Sequence, residues 1–154
     1  SVGSIFVRGV PYAVAMEGVA GVPGRICDVK GTARVPSDPE FGVSELVAGV
    51  LLSARAAGTS ARAAVNIRCD SDLVAALGDA GVEAAEFEPR DHSETDDGPE
   101  DPVRATVAKR LDDSTETLDD VFAVYQTGGV GVEPVLYALG PDAPTVARVV
   151  RTLL

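Results

Sequence analysis

Apolar positions along this 154-residue chain switch repeatedly between the spacing of strands and the spacing of helices. Ser4-Ile5-Phe6-Val7, stopped by Gly9 and Pro11, reads as a buried strand entered almost at once. Two short β-type pieces follow, Arg25 to Val29 and Thr32 to Val35, with Lys30-Gly31 between them as a hairpin turn. Pro36 to Phe41 reads as a loop. Ser44 then stands as N-cap before Leu46, Val47, Val50, Leu51 and Ala54, whose helical spacing runs to a stop at Gly58. Ala63 to Ile67 predicts a buried strand, Asp70-Ser71 caps a helix carrying Leu73, Val74 and Leu77, and Val82 to Phe87 is again a strand.

Beyond this point Glu86 to Asp101 holds eight carboxylates and almost nothing apolar, the pattern of a solvated loop rather than of a metal site. Asp101-Pro102 opens a helix with Val103, Val107 and Leu111 on one face. Val121 to Tyr125 and Val135 to Leu139 are strands joined through a glycine-rich turn, and Asp142 with Pro144 starts a final helix bearing Val146, Val149, Val150 and Leu153. Alternating strands and helices predict one α/β domain over residues 1–154, three layers deep, with helices on both faces of a mixed central sheet.

Composition narrows the functions open to such a domain. Its 24 acidic residues against 13 basic ones give a net charge of -11, so the average surface repels nucleic-acid backbones and anionic lipid. Lys30 and Lys109 are the only lysines, and with so many small apolar residues this predicts a salt-adapted protein. Neither a membrane-spanning run nor a signal sequence is visible, which predicts a soluble, cytoplasmic chain without a membrane partner. Cys27 and Cys69 lie far apart with no ligand-spaced neighbour, so both read as small buried residues rather than as zinc ligands or a disulfide framework. His92 is the only histidine and stands in the acidic stretch, a poor place for a catalytic base.

Candidate chemistry therefore rests on arginine and on exposed backbone. Arg25, Arg68 and Arg90 stand where loops meet regular elements, positions that suit either a phosphate or a neighbouring carboxylate. In Asn66-Ile67-Arg68 two polar side chains share one side of an apolar strand just before a helix. Gly42-Val43-Ser44 offers free N–H groups and a hydroxyl, equally explained by helix capping. Gly128-Gly129-Val130-Gly131 fits a tight turn better than a nucleotide-binding loop, and no set of residues for covalent hydrolysis is present.

Four segments taken together carry a resemblance: Pro23-Gly24-Arg25-Ile26, Phe41-Gly42-Val43-Ser44, Ala64-Val65-Asn66-Ile67-Arg68, and Val124-Tyr125 through Gly131-Val132-Glu133-Pro134. In order and spacing, over about 110 residues, they resemble the ThiN family of thiamine-phosphate synthase domains. The resemblance implies a three-layer α/β/α fold, commonly dimeric, in archaea and some bacteria. Such domains are fused to a hydroxymethylpyrimidine kinase or follow a helix-turn-helix DNA-binding domain. The enzymes join hydroxymethylpyrimidine diphosphate to thiazole phosphate, a reaction that implies cationic groups on the leaving diphosphate and Mg²⁺.

Arg25, Asn66 and Arg68 match the family positions, whereas the histidine of the enzymes, two residues after the serine, is replaced here by Leu46. The late loop departs as well. Four positions charged in the enzymes are Gln126, Thr127, Gly129 and Val132, while Gly128, Gly131, Glu133 and Pro134 remain. The resemblance thus implies a kept pocket without catalytic residues, and no cofactor unless Mg²⁺ serves an active enzyme. It points to an effector domain that senses thiamine phosphate or thiamine diphosphate, is dimeric, and reaches DNA only through a separate N-terminal domain. Arg25 and Arg68 are expected to hold phosphate, Asn66, Gly42 and Ser44 to hydrogen-bond, Gly128, Gly131 and Pro134 to wall the pocket, and Glu133 to face the thiazolium. An active synthase and a ligand-free dimerisation domain are the rival readings.

Overall fold

A computed structural model of the chain describes residues 5–11, 13, 15–24, 26–88, 101–113 and 120–153. The first strand is β1 (Phe6–Gly9); a single 3-10 turn at Met16–Gly18 leads into β2 (Val19–Gly21). The expected hairpin follows as β3 (Cys27–Val29) and β4 (Thr32–Arg34), a ribbon separate from the main sheet. Lys30 (φ 54°) and Gly31 (φ 79°) are both left-handed, giving a turn of type I′, whose twist suits a two-residue hairpin. Next come β5 (Glu40–Phe41), α1 (Glu45–Ala56), β6 (Ala63–Arg68), α2 (Ser71–Asp79) and β7 (Glu83–Glu86). The described chain then continues with α3 (Pro102–Asp113), β8 (Phe122–Gln126), β9 (Val135–Gly140) and α4 (Ala143–Leu153).

Seven strands form one mixed sheet in the order β5-β2-β1-β6-β9-β8-β7. β7 and β8 pair in parallel; the pairs from β5 to β8 are antiparallel. Alternation along the central strands divides the core into two halves. Ala64, Tyr137, Leu139, Phe122 and Val124 face α1 and α3, whereas Ala63, Val65, Ile67, Leu136, Ala138 and Ala123 face α2 and α4. The architecture is therefore the three-layer α/β/α arrangement with a mixed central sheet that alternating periodicities predict.

Local signals set the helix ends. Asp70 accepts the Leu73 N–H at 2.8 Å, Asp101 the Arg104 N–H at 2.9 Å, and Asp142 the Thr145 N–H at 2.7 Å, all ordinary N-caps. The Asp101 carboxylate also takes a 2.6 Å bond from Ser53, tying α3 to α1. At the other end of α1, Arg55 reaches back to three carbonyls, those of Ala13 (3.0 Å), Ala61 (2.7 Å) and Pro11 (2.5 Å). That one guanidinium fastens the stretch after β1 and the entry to β6 onto the helix.

Three features differ from the periodicity. The loop expected over Pro36 to Phe41 ends in β5, whose two residues are exposed at the sheet edge and so carry no burial alternation. β2 is equally silent in the sequence, being three residues long and ending in Gly21. A Cβ on Gly21 would lie 3.1 Å from Val7 Cγ1 and 3.2 Å from Val43 Cγ2, so the glycine lets the chain entering α1 sit directly on the sheet. Ser44 occupies the N-cap position of α1 but does not cap it. Its backbone is left-handed (φ 61°, ψ 60°) instead of extended, and its hydroxyl makes no cap bond. Cys69 is buried as expected; the Cys27 side chain, Arg90, His92 and most of the acidic stretch lie outside the described residues.

Candidate functional site

β6 delivers the two polar side chains that its alternation predicts. Asn66 stands opposite Tyr137, and Arg68 opposite Val135, on the face that carries α1 and α3, while Ile67 points into the other half of the core. Asn66 is 6% exposed, and its Oδ1 accepts the Ile5 N–H at 2.7 Å. The amide thus holds the start of β1 against β6, a role that polarity in a strand signals without naming the partner. Arg68 is exposed, and among the described residues its guanidinium has neither a hydrogen-bond nor an ion-pair partner. In a chain with nearly two carboxylates for each cation, an arginine left unpaired at a strand end is available to an anion.

The loop joining β8 to β9 rises from the same end of the sheet, since Arg68 and Gln126 both pair with Val135. It is a hairpin in its own right: Gly129 and Val132 exchange two N–H···O bonds of 3.1 Å across Val130-Gly131, with Gly131 left-handed (φ 75°). A Cβ on Gly128 would fall 2.8 Å from the Val132 carbonyl and 3.0 Å from the Pro134 ring. Gly128, Gly131 and Pro134 therefore shape the hairpin itself, and Glu133 is exposed on it.

Gly42 and Ser44 lie apart from this group, toward the β5 edge. The Gly42 N–H donates to the Val19 carbonyl at 3.0 Å. Ser44 Oγ is sealed from solvent with no hydrogen-bond partner among the described residues, a combination that costs about 1–3 kcal/mol unless something supplies the bond. Leu46, two residues on, is 68% exposed on the first turn of α1, so its place is a surface and not the core. Arg25 lies outside the described residues, beside Gly24, whose left-handed φ of 84° turns the chain there.

Two hollows open near these residues. The larger, about 490 Å³, lies between β7 and α3, and its Arg110 is already committed to Glu83 (3.4 Å) and to the Ala84 carbonyl (2.8 Å). The second, about 360 Å³, sits at the start of α2, lined by Cys69, Asp70, Ser71, Val74, Tyr125 and Thr127. The periodicity assigns Cys69 and Tyr125 only to the core and gives no sign that they border a hollow. Among the described residues no three His, Cys, Asp or Glu side chains assemble as a metal site, and positions 126–132 bring no carboxylate to help.

This geometry can be set beside known proteins. A family model described as "Thiamine-phosphate synthase ThiN" matches residues 1–152. The chain belongs to the ThiN family. It is 28% identical over 141 residues to the thiamine-phosphate synthase ThiN of Methanothermobacter thermautotrophicus, covering 90% of this chain and 72% of that protein. Against the bifunctional thiamine biosynthesis protein ThiDN of Methanocaldococcus jannaschii it is 29% identical over 153 residues, 99% of this chain but about a third (35%) of that longer protein. The crystal structure of the C-terminal domain of a phosphomethylpyrimidine kinase superimposes with a TM-score of 0.78 at 25% identity, covering 99% of this chain and 85% of that one. In this ThiN chain Arg68, without a partner among the described residues, a tight hairpin and a hollow lie at one end of the sheet.

Proposed function

We propose that this ThiN domain binds a phosphorylated thiamine, thiamine phosphate or thiamine diphosphate, without catalysing its synthesis, as the sensing half of a transcriptional regulator. The observation that carries the reading is Leu46, a fully apolar side chain exposed at the start of α1, where the resemblance puts the histidine of the enzymes. Gln126, Thr127, Gly129 and Val132 support it, since none carries a charge or a group that titrates near neutrality where the enzymes are charged. In this reading Arg68 and Arg25 hold the phosphates, the ownerless Ser44 hydroxyl meets a ligand atom, and Asn66 keeps the strand end in place.

Ligand binding acts by favouring one arrangement of a dimer over another, which requires unequal affinity for the two states. Phe41 (62% exposed) and Leu46 offer apolar surface for a second copy. A charge of -11 assigns DNA contact to a separate N-terminal domain and fits a cytoplasmic, salt-adapted protein; no helix among the described residues is long and apolar enough to cross a membrane. The test is direct. Purified protein given hydroxymethylpyrimidine diphosphate, thiazole phosphate and Mg²⁺ forms no thiamine phosphate above background; steady product formation restores the synthase reading.

A further inference from the structure

The 360 Å³ hollow at the start of α2 differs in chemistry from the surface around Arg68, although residues 68 and 69 are neighbours in the chain. Arg68 stands on the α1/α3 face, whereas Cys69 packs into the α2/α4 half of the core. The hollow opens beyond the ends of β6 and β8, which both run toward it on either side of the oppositely directed β9. Ligands of open α/β sheets bind in crevices outside the carboxyl ends of strands, and the volume suits a small molecule.

Among the described residues, no lining residue of this hollow is basic. Its Asp70 carboxylate is held by the Leu73 N–H, and Glu86, which lines the larger hollow, approaches this one through a 2.9 Å bond from the Thr127 hydroxyl. Burial first, then the Asp70 and Glu86 carboxylates, push the Cys69 thiol up, which is the response of a titratable group to a desolvated space of negative potential. Tyr125 and Val74 supply aromatic and apolar wall. The start of α2 by itself favours an anion, but the Asp70 carboxylate caps it, and together with Glu86 nearby and the tyrosine ring this favours a flat cation.

We infer that this hollow receives the cationic heteroaromatic ring of the ligand, while its phosphate is held around the strand end at Arg68. The inference rests on the phosphorylated-thiamine reading and adds a basis for selectivity. Thiamine phosphate carries a permanently quaternised thiazolium, and its precursor thiazole phosphate carries a neutral ring with the same phosphate. Separate places for cation and anion let the domain respond to the finished product and ignore the precursor.

The experiment compares thiamine phosphate with its neutral isostere, in which carbon replaces the quaternary ring nitrogen, by calorimetric titration of the 154-residue chain. Wild type should prefer the cation about tenfold or more. The double variant Asp70→Asn, Glu86→Gln keeps an acceptor oxygen for Leu73 N–H and for Thr127 and removes both charges. It should lose most of that preference, about tenfold in affinity for thiamine phosphate, with the isostere unchanged. If the double variant fails to fold, Tyr125→Leu should erode the same preference. Equal loss for both ligands, or an undiminished preference, overturns the assignment while leaving the phosphate reading intact. Absence of any binding by wild type overturns both.

Discussion

Ser44 and Arg68 each break a rule that the rest of the chain obeys. A serine at the head of α1 should be extended and should cap; this one is left-handed and its hydroxyl has no partner. Strain and an unmet hydrogen bond together cost the free protein more than either alone. Ser44→Gly removes both, so it should raise stability by about 1 kcal/mol after the entropic cost of glycine, yet weaken thiamine phosphate binding. Denaturant unfolding that shows a loss of stability would contradict that account of the site. Arg68, at the end of β6, has no partner among the described residues. Arg68→Ala should lower affinity for thiamine phosphate at least tenfold and scarcely change affinity for thiamine. Equal losses for the two ligands would remove Arg68 from phosphate binding.

Elements, unlike single residues, were largely written in the periodicity. Helical spacing from Leu46 to Ala54, the apolar run from Ala63 and the Asp caps at 70, 101 and 142 correspond to α1, β6 and the starts of α2, α3 and α4. Lys30-Gly31 specified its hairpin because two left-handed residues fit that turn. β5 leaves no trace because an exposed two-residue edge strand needs no burial pattern, and β2, an interior strand, is only three residues long and holds its place through distant segments. Long-range polar fastening was equally hidden. Nothing around Arg55 foretells its three carbonyl partners, contributed by segments on both sides of it in sequence. Charge-assisted bonds of this kind are each substantial, and a truncated Arg55 leaves partly buried carbonyls behind. Arg55→Ala should cost about 3 kcal/mol in denaturant unfolding, with Arg55→Lys recovering only part of it. A change below about 0.5 kcal/mol would show that the clamp is dispensable.

For the molecule as a whole, charge acquires a location. The excess of carboxylates makes the average surface a poor partner for anions, but Arg68 stands without a partner among the described residues on one face, while Asp70 lines a hollow on the other and Glu86 is hydrogen-bonded to its Thr127. Sequence alone pointed to the Arg68 side, since Asn66-Ile67-Arg68 is a contiguous motif. The other side depends on residues 69–74, 86 and 125–127 meeting in space, and no one-dimensional pattern joins them. Membership of the ThiN family fixes the scaffold, and in the proposed reading the replacements at positions 46 and 126–132 would separate binding from chemistry.

The central claim is that binding persists where catalytic groups are gone. Titration calorimetry of the purified chain with thiamine phosphate tests it most directly. The account predicts saturable heat and a melting shift with thiamine phosphate alone, with no precursor and no Mg²⁺ present. Neither heat nor shift at millimolar ligand would contradict it and leave a dimerisation module in its place.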